Sequence, residues 1–209
     1  MESTSRDMLP SAILSRLGEG ERLLVAIAGP PGAGKSTLSE HLRDALNKGG
    51  DGPSAIVPMD GFHLDNAILD QRGLRSRKGS PPTFDCAGFE VLLKRLRMAG
   101  EDVVIPAFDR TLDLSRAGAA VVAARHRILL VEGNYLLLDE APWSRLQPLF
   151  DLTIFLDVPF MELEQRLIQR WLEHGHTPEE AGNRALSNDI PNAELVVSSS
   201  RPADYVIRD

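Results

Sequence analysis

The chain has 209 residues, 43% hydrophobic and 25% charged, an ordinary globular composition that supplies one sizeable core and argues against a second full domain. Its formal net charge of −7 argues against a broad basic footprint, so neither nucleic acid nor an anionic membrane is an expected partner, and any bound anion must be held by a local site. The one cysteine, Cys86, excludes an intramolecular disulfide and a cysteine metal cluster. No apolar run approaches the roughly 18 residues of a membrane span. The first residues carry Glu2, Arg6, Asp7, Arg16, Glu19, Glu21 and Arg22 in place of an apolar leader core, so a cytoplasmic protein is expected.

Met8, Leu9, Ile13, Leu14 and Leu17 recur at helical spacing and predict a short amphipathic helix over 8–17. The run 23–28 (LLVAIA) reads as a buried strand, and the stretch from Thr37 to Lys48 as a helix with Leu38, Leu42, Ala45 and Leu46 on one face. Between them stand Gly29, Pro30, Pro31, Gly32, Ala33, Gly34, Lys35 and Ser36, which fit G-x-x-x-x-G-K-[ST] in the strand–loop–helix context that a phosphate-cradling loop requires. The glycines let backbone N–H groups approach phosphate oxygens at the positive end of the helix. Lys35 supplies a cation for the β- and γ-phosphates, and the Ser36 hydroxyl an oxygen ligand for Mg²⁺. The residues expected to hold ATP are therefore Gly29 through Ser36, with Thr37 following.

Gly49 to Pro53, with Asp51 among them, break that helix, and 54–58 predicts a second strand ending in Met59-Asp60-Gly61-Phe62-His63. A carboxylate beyond the carboxyl end of a strand is placed where open α/β sheets bind ligands, and Asp60 there can accept the proton of an attacking hydroxyl. Residues 71–85, with Arg72, Arg75, Arg77 and Lys78 ahead of Gly79-Ser80-Pro81-Pro82, read as an exposed loop. Asp85 is in range to start a helix striped by Phe89, Leu92, Leu93 and Leu96. Val103 to Phe108 reads as a short strand delivering the polar loop 109–113. The third core strand, 127–134, ends in Glu132, placed to hold Mg²⁺ or its water. Strands over 152–158 and 205–207 complete the set, and between them lies a helix after Pro159 carrying Arg166 and Arg170, suited to spread over the charge of a transferring phosphoryl group. Thr177-Pro178-Glu179-Glu180 has the pattern of a capping box with proline at the first helical position. Alternating strands and helices imply a parallel sheet covered on both faces.

The order of these pieces, from the P-loop through Asp60-Gly61-Phe62 and Glu132-Gly133 to Phe155-Leu156-Asp157-Val158-Pro159 and the arginine-bearing helix, resembles the uridine kinase, phosphoribulokinase and bacterial pantothenate kinase group of P-loop kinases. It is most similar to small bacterial proteins of that group named fructose transport system kinases, through Arg77-Lys78-Gly79-Ser80-Pro81, Pro106-Ala107-Phe108-Asp109-Arg110, Glu132-Gly133-Asn134-Tyr135 and Asn188-Asp189-Ile190-Pro191-Asn192. The resemblance implies an α/β P-loop three-layer fold over residues 1–209 as one kinase domain. It implies a five-stranded parallel sheet of order 2-3-1-4-5 and a small helical lid around 160–192. It also implies transfer of the γ-phosphoryl of MgATP to a hydroxyl of a small metabolite, fructose being one candidate and a nucleoside or pantothenate-like compound the alternative. Asp60 would be the catalytic base, with Lys35, Arg166 and Arg170 beside it; Ser36 and Glu132 would hold the metal; adenine would lie near Asn192 and 198–204. Phe62, His63, Lys78, Phe84, Asp109 and Arg110 are the expected acceptor contacts. The absence of a Tyr-Asp-Phe hairpin and a following His-x-Arg argues against a nucleoside. The oligomeric state is open between monomer and homodimer. A guanine-reading Asn-Lys-x-Asp is missing after the late strands, which sets a GTPase aside, while an ATPase or metabolite sensor without acceptor chemistry stays open.

Overall fold

The run 23–28 is buried along its whole length, which requires cover on both faces and puts it inside a sheet. The computed structural model describes all residues except 1, 4, 19–21, 51, 99 and 209, with backbone alone at 2 and 3, so Glu19, Asp51 and Glu21 lie outside the described residues. In chain order the strands are β1 (Glu2–Ser3), β2 (Leu23–Ala28), β3 (Ser54–Pro58), β4 (Val103–Asp109), β5 (Leu114–Val122), β6 (Ile128–Gly133), β7 (Leu152–Asp157) and β8 (Tyr205–Arg208). The helices are α1 (Leu9–Arg16), α2 (Lys35–Asn47), α3 (Asn66–Gln71), α4 (Cys86–Met98), α5 (Phe160–Glu173), α6 (Pro178–Arg184) and α7 (Ile190–Ser199).

The main sheet runs β3-β6-β2-β7-β8 with all pairings parallel, which is the expected order 2-3-1-4-5 for the five core strands. β1 adds a sixth, two-residue strand beside β8, too short to leave a periodic signal. Alternation along β2 divides the core. Leu24, Ala26 and Ala28 face a cluster containing Phe89, Leu93 and Leu96 of α4, while Leu23, Val25 and Ile27 face one containing α1, α2 and α5 residues such as Ile13, Leu42 and Leu163. The start signals act as expected: Asp85 Oδ1 accepts the Gly88 N–H at 2.8 Å at the head of α4, and Thr177 and Glu180 form the capping box of α6.

Two expectations are corrected. β5 was not foreseen, because Ala117, Gly118, Ala119 and Ala120 carry little strand preference; antiparallel pairing with β4 makes the strand, and Asp113 turns the chain with φ of 51°. The loop over 71–85 is not exposed throughout, since Ser80, Thr83 and Phe84 are buried. After β7, α5, α6, a π-helical turn over Ala185–Asp189 and α7 follow one another to Ser199.

The carboxyl ends of β3 and β6 carry the two acids, and each acid precedes a glycine that permits close approach. A Cβ on Gly61 would lie 2.6 Å from the Pro106 carbonyl oxygen of β4, and one on Gly133 would lie 2.5 Å from the Met59 Cβ. Because the obstacle at Gly61 is backbone, Gly61→Ala is expected to cost about 1–3 kcal/mol in urea denaturation. An unchanged denaturation midpoint would show that the β4 hairpin does not bear on the Asp60 turn.

Candidate active site

The loop after β2 is shaped by glycines that accept conformations other residues resist: Gly32 and Gly34 have φ of 81° and 88°, and a Cβ on Gly29 would lie 2.9 Å from the Leu156 carbonyl oxygen. Gly34 occupies the N-cap of α2 and has no side chain to satisfy the first-turn amides, which leaves those of Lys35, Ser36 and Thr37 for an anion. Pro31, Gly32, Gly34, Lys35, Ser36 and Thr37 line one cleft of about 1390 Å³. Gly29, Pro30 and Ala33 lie behind it. Ala33 is fully buried, and the Pro30 carbonyl accepts from both the Ala33 N–H at 3.1 Å and the Lys35 ammonium at 2.8 Å, so these three shape the loop from the core side.

Lys35 is only 8% exposed. Burial pushes its ammonium down to about 8, against the pull of Glu132 and Asp60. Glu132, in the penultimate position of β6, is equally enclosed; burial, reinforced by the Asp60 charge, lifts its carboxyl to about 7. The Ser36 hydroxyl donates to Glu132 Oε1 at 3.4 Å. One hydroxyl beside one carboxylate is a hard-oxygen donor set that fits Mg²⁺, which takes few protein ligands and completes its shell with water and phosphate oxygens.

Asp60 lies in a 3₁₀ turn (Met59–Phe62) directly after β3, and its Oδ2 accepts from Arg110 at 3.1 Å. His63 Nδ1 meets the Asp60 carbonyl oxygen at 2.8 Å, and its ring packs on Phe84 and Phe108 at centroid distances of 4.0 and 4.5 Å. Burial holds this imidazole below its ordinary value. Lys78 donates to Asn66 Oδ1 at 2.8 Å and to the Asp113 carbonyl at 2.6 Å, pairs with the Asp113 carboxylate at 2.9 Å, and lies over the Phe108 ring. Across the cleft, Arg166 donates to the Gly32 carbonyl at 3.3 Å and pairs with Glu162. Arg170 pairs with Asp189 at 3.0 Å, and Trp171 Nε1 donates to the same carboxylate at 2.7 Å.

The cleft therefore brings together Lys35, Ser36, Thr37, Asp60, His63, Lys78, Arg110, Glu132, Arg166 and Arg170. It does not take in three of the expected acceptor contacts. Phe62 packs against Phe89 in the core at 4.9 Å, and Phe84 is buried against Tyr135 and Trp143, because both rings gain more by filling the layer under α4 than by facing water. Asp109 turns to its own loop, accepting from the Thr111 and Leu112 N–H groups and pairing with Arg116. Of the expected adenine region, Asn192 lines the cleft while 198–204 does not; Ser199 and Arg201 are instead tied by backbone hydrogen bonds to Asp139 and Leu137. Sequence reasoning missed Phe108, Asp113, Asn188 and Asp189. The last two were legible as part of Asn188-Asp189-Ile190-Pro191-Asn192, and Asn188 donates to the Lys78 carbonyl at 2.8 Å, joining the π-helical turn before α7 to the loop opposite.

The sequence model of the Phosphoribulokinase / Uridine kinase family matches residues 24–207. "Uncharacterized protein YggC" of Escherichia coli (strain K12) is 36% identical over 198 residues, 94% of this chain and 81% of its own length. "Putative uridine kinase C227.14" of Schizosaccharomyces pombe (strain 972 / ATCC 24843) is 33% identical over 213 residues, 98% of this chain and 91% of its own. A solved structure from Silicibacter sp. TM1040, described as a "putative fructose transport system kinase", superposes with a TM-score of 0.92 at 46% identity, covering 98% of this chain and 99% of that one.

An unfolded glutamate titrates at about 4.3, and Glu132 holds its proton more tightly when folded. Its stabilising contribution is therefore present below the unfolded value and is lost as pH rises through about 7. Between about pH 4.5 and about pH 7.5, in magnesium-free buffer, the wild-type chain is expected to lose on the order of 3 kcal/mol more stability than Glu132→Gln. Urea denaturation across that range checks this, and parallel stability profiles would contradict it.

Proposed function

We propose that this chain, which belongs to the Phosphoribulokinase / Uridine kinase family, transfers the γ-phosphoryl group of MgATP to a hydroxyl of a small metabolite. The observation that carries this reading is the convergence of Lys35, Glu132 and Asp60, from three different elements, on one cleft. We assign residues 1–209 to one kinase unit acting in the cytoplasm, with α5, α6 and the turn to 192 as its lid; no helix among the described residues is long and apolar enough to cross a membrane.

In this reading the first-turn amides of α2 and the Lys35 ammonium bind the β- and γ-phosphates, which draws Lys35 from the Pro30 carbonyl it now holds. Ser36 and Glu132 would hold Mg²⁺, which supplies charge neutralisation between the phosphates when bound. Asp60 takes the proton from the acceptor hydroxyl as that oxygen bonds to the γ-phosphorus and the bond to the bridging oxygen of ADP breaks. Arg110, already on the Asp60 carboxylate, keeps it aimed. Arg166 and Arg170 come from one face of α5, four residues apart, and lie over the transferring group, where their charge offsets that of its equatorial oxygens. His63, Lys78 and Arg110 remain the acceptor contacts, with Phe108 as an apolar wall.

The description of the Silicibacter relative makes fructose a first compound to test, beside other sugars, nucleosides and pantothenate. Product mass spectrometry is expected to find one class of acceptor phosphorylated. Asp60→Asn is expected to lower that transfer by about 10²–10⁴-fold while leaving MgATP affinity nearly unchanged. ATP hydrolysis that ignores every acceptor and is indifferent to Asp60→Asn would replace the kinase with an ATPase or sensor.

A further inference from the structure

Asp189 is a carboxylate only 8% exposed, and α5 supplies it with donors from two successive residues. Arg170 Nη2 donates to its Oδ2 at 3.0 Å, and Trp171 Nε1 donates to the same oxygen at 2.7 Å. The acid sits in the π-helical turn Ala185–Asp189, a rare conformation frequent at functional sites, and both Asn188 and Asp189 of this turn line the cleft. Asn188 secures the turn from the other side through the Lys78 carbonyl. The Arg170 guanidinium lies over the Trp171 ring, 5.3 Å from its centroid. It spends little of its planar fork of donors on Asp189, since its Nε and Nη1 make no hydrogen bond among the described residues. Arg166 differs, because the Gly32 carbonyl and Glu162 take its Nη1 and Nη2. The Arg170 charge also bears on the Lys35 ammonium, so the two cations share one part of the cleft.

We propose that Asp189 is a positioning residue for phosphoryl transfer: it holds one edge of the Arg170 guanidinium, with Trp171 locking the carboxylate, so that the free edge meets the oxygens of the transferring group. This rests on the kinase reading and assigns a role within it. A long arginine side chain on a helix face samples many rotamers, and ordering it during the reaction would cost entropy; the buried carboxylate and the indole face order it beforehand. The Asp189 pair persists through the reaction, because it occupies only one terminal nitrogen of the fork. A charged partner also suits the place, since it offsets the Arg170 cation beside Lys35 until phosphate arrives. The neighbouring Asn188 ties the same turn to the segment that carries Lys78, so the aim of Arg170 is set from both walls of the cleft.

The test has two arms. In the first, the protein is labelled with ¹⁵N-tryptophan, and the Trp171 indole signal is told from that of Trp143, the other tryptophan, by its loss in Trp171→Phe. Asp189→Ala is expected to move the Trp171 N–H signal upfield as its hydrogen bond to the carboxylate is lost, while the signal of Trp143, in the core, stays in place and reports that the variant is folded. A Trp171 signal indifferent to Asp189→Ala overturns the proposal without touching the kinase reading. In the second arm, MgATP-dependent phosphorylation is measured over a panel of sugars, nucleosides and pantothenate, and the acceptor that is used is followed in the variants. Asp189→Asn keeps an oxygen for Trp171 but no charge for Arg170, and it should lower kcat by about 10–100-fold with the KM for MgATP within about 3-fold of wild type. Placed on Arg170→Ala, the same substitution should change kcat by less than about 2-fold, because the group it acts through is gone. Equal losses in the two backgrounds would make Asp189 a structural tie between α5 and the π-helical turn and overturn the proposal, as would an unchanged kcat in Asp189→Asn. No phosphorylation of any compound by wild type, with the Trp171 signal as expected, removes the kinase reading and the proposal together.

Discussion

Lys35 is an ammonium ion held almost out of water, and its burial is tolerable only because two strand-end carboxylates share its surroundings. Desolvation and the carboxylates act on it in opposite directions, and the same opposition appears in reverse on Glu132, which the lysine pulls down and burial lifts. Such a cluster is costly as pure architecture, since a buried ionic group contributes little net stability. In the proposed reading it receives polyphosphate charge: the cation, the helix amides and the Ser36–Glu132 oxygen pair converge before the nucleotide arrives, which leaves little reorganisation for the reaction itself.

The rest of the fold can be read as the means of holding that cluster. β2 and β6 pair in register with Ile27 opposite Glu132, which sets the acid beside the root of the P-loop. Pro58 of β3 lies opposite Glu132 on its other side, which brings the Asp60 turn to the same sheet edge. Gly61 and Gly133 remove the two side chains that would push these turns apart from their neighbours. From the opposite wall, α5 delivers Arg166 within reach of the Gly32 carbonyl, and Asn188 donates to the Lys78 carbonyl, so this helical wall touches both the P-loop and the loop after α3.

How much of this was legible in the sequence follows from the kind of signal each part leaves. The core strands were plain because buried parallel strands are written as apolar runs, and the P-loop was plain because its glycines, lysine and serine each answer a separate physical demand. Asp60 and Glu132 were legible from their position at strand ends. The misassigned residues share another property: Phe62, Phe84 and Asp109 sit in segments without periodicity, where only tertiary packing decides whether a ring or carboxylate turns to the cleft or to the protein. β5 was hidden for a related reason, since its alanines and glycine become a strand only through the partner they meet.

The claim on which the account turns is that the Lys35 cation is there for nucleotide phosphates. Calorimetric titration of MgATP and AMP into wild type and Lys35→Met tests it most directly. The account predicts that the substitution weakens MgATP by about 30-fold or more, as expected when one partner of a desolvated charge pair is removed, while AMP, which lacks β- and γ-phosphates, changes far less. Equal affinities for MgATP in the two proteins would mean that Lys35 is a structural cation balancing Glu132, and that the phosphate site lies elsewhere.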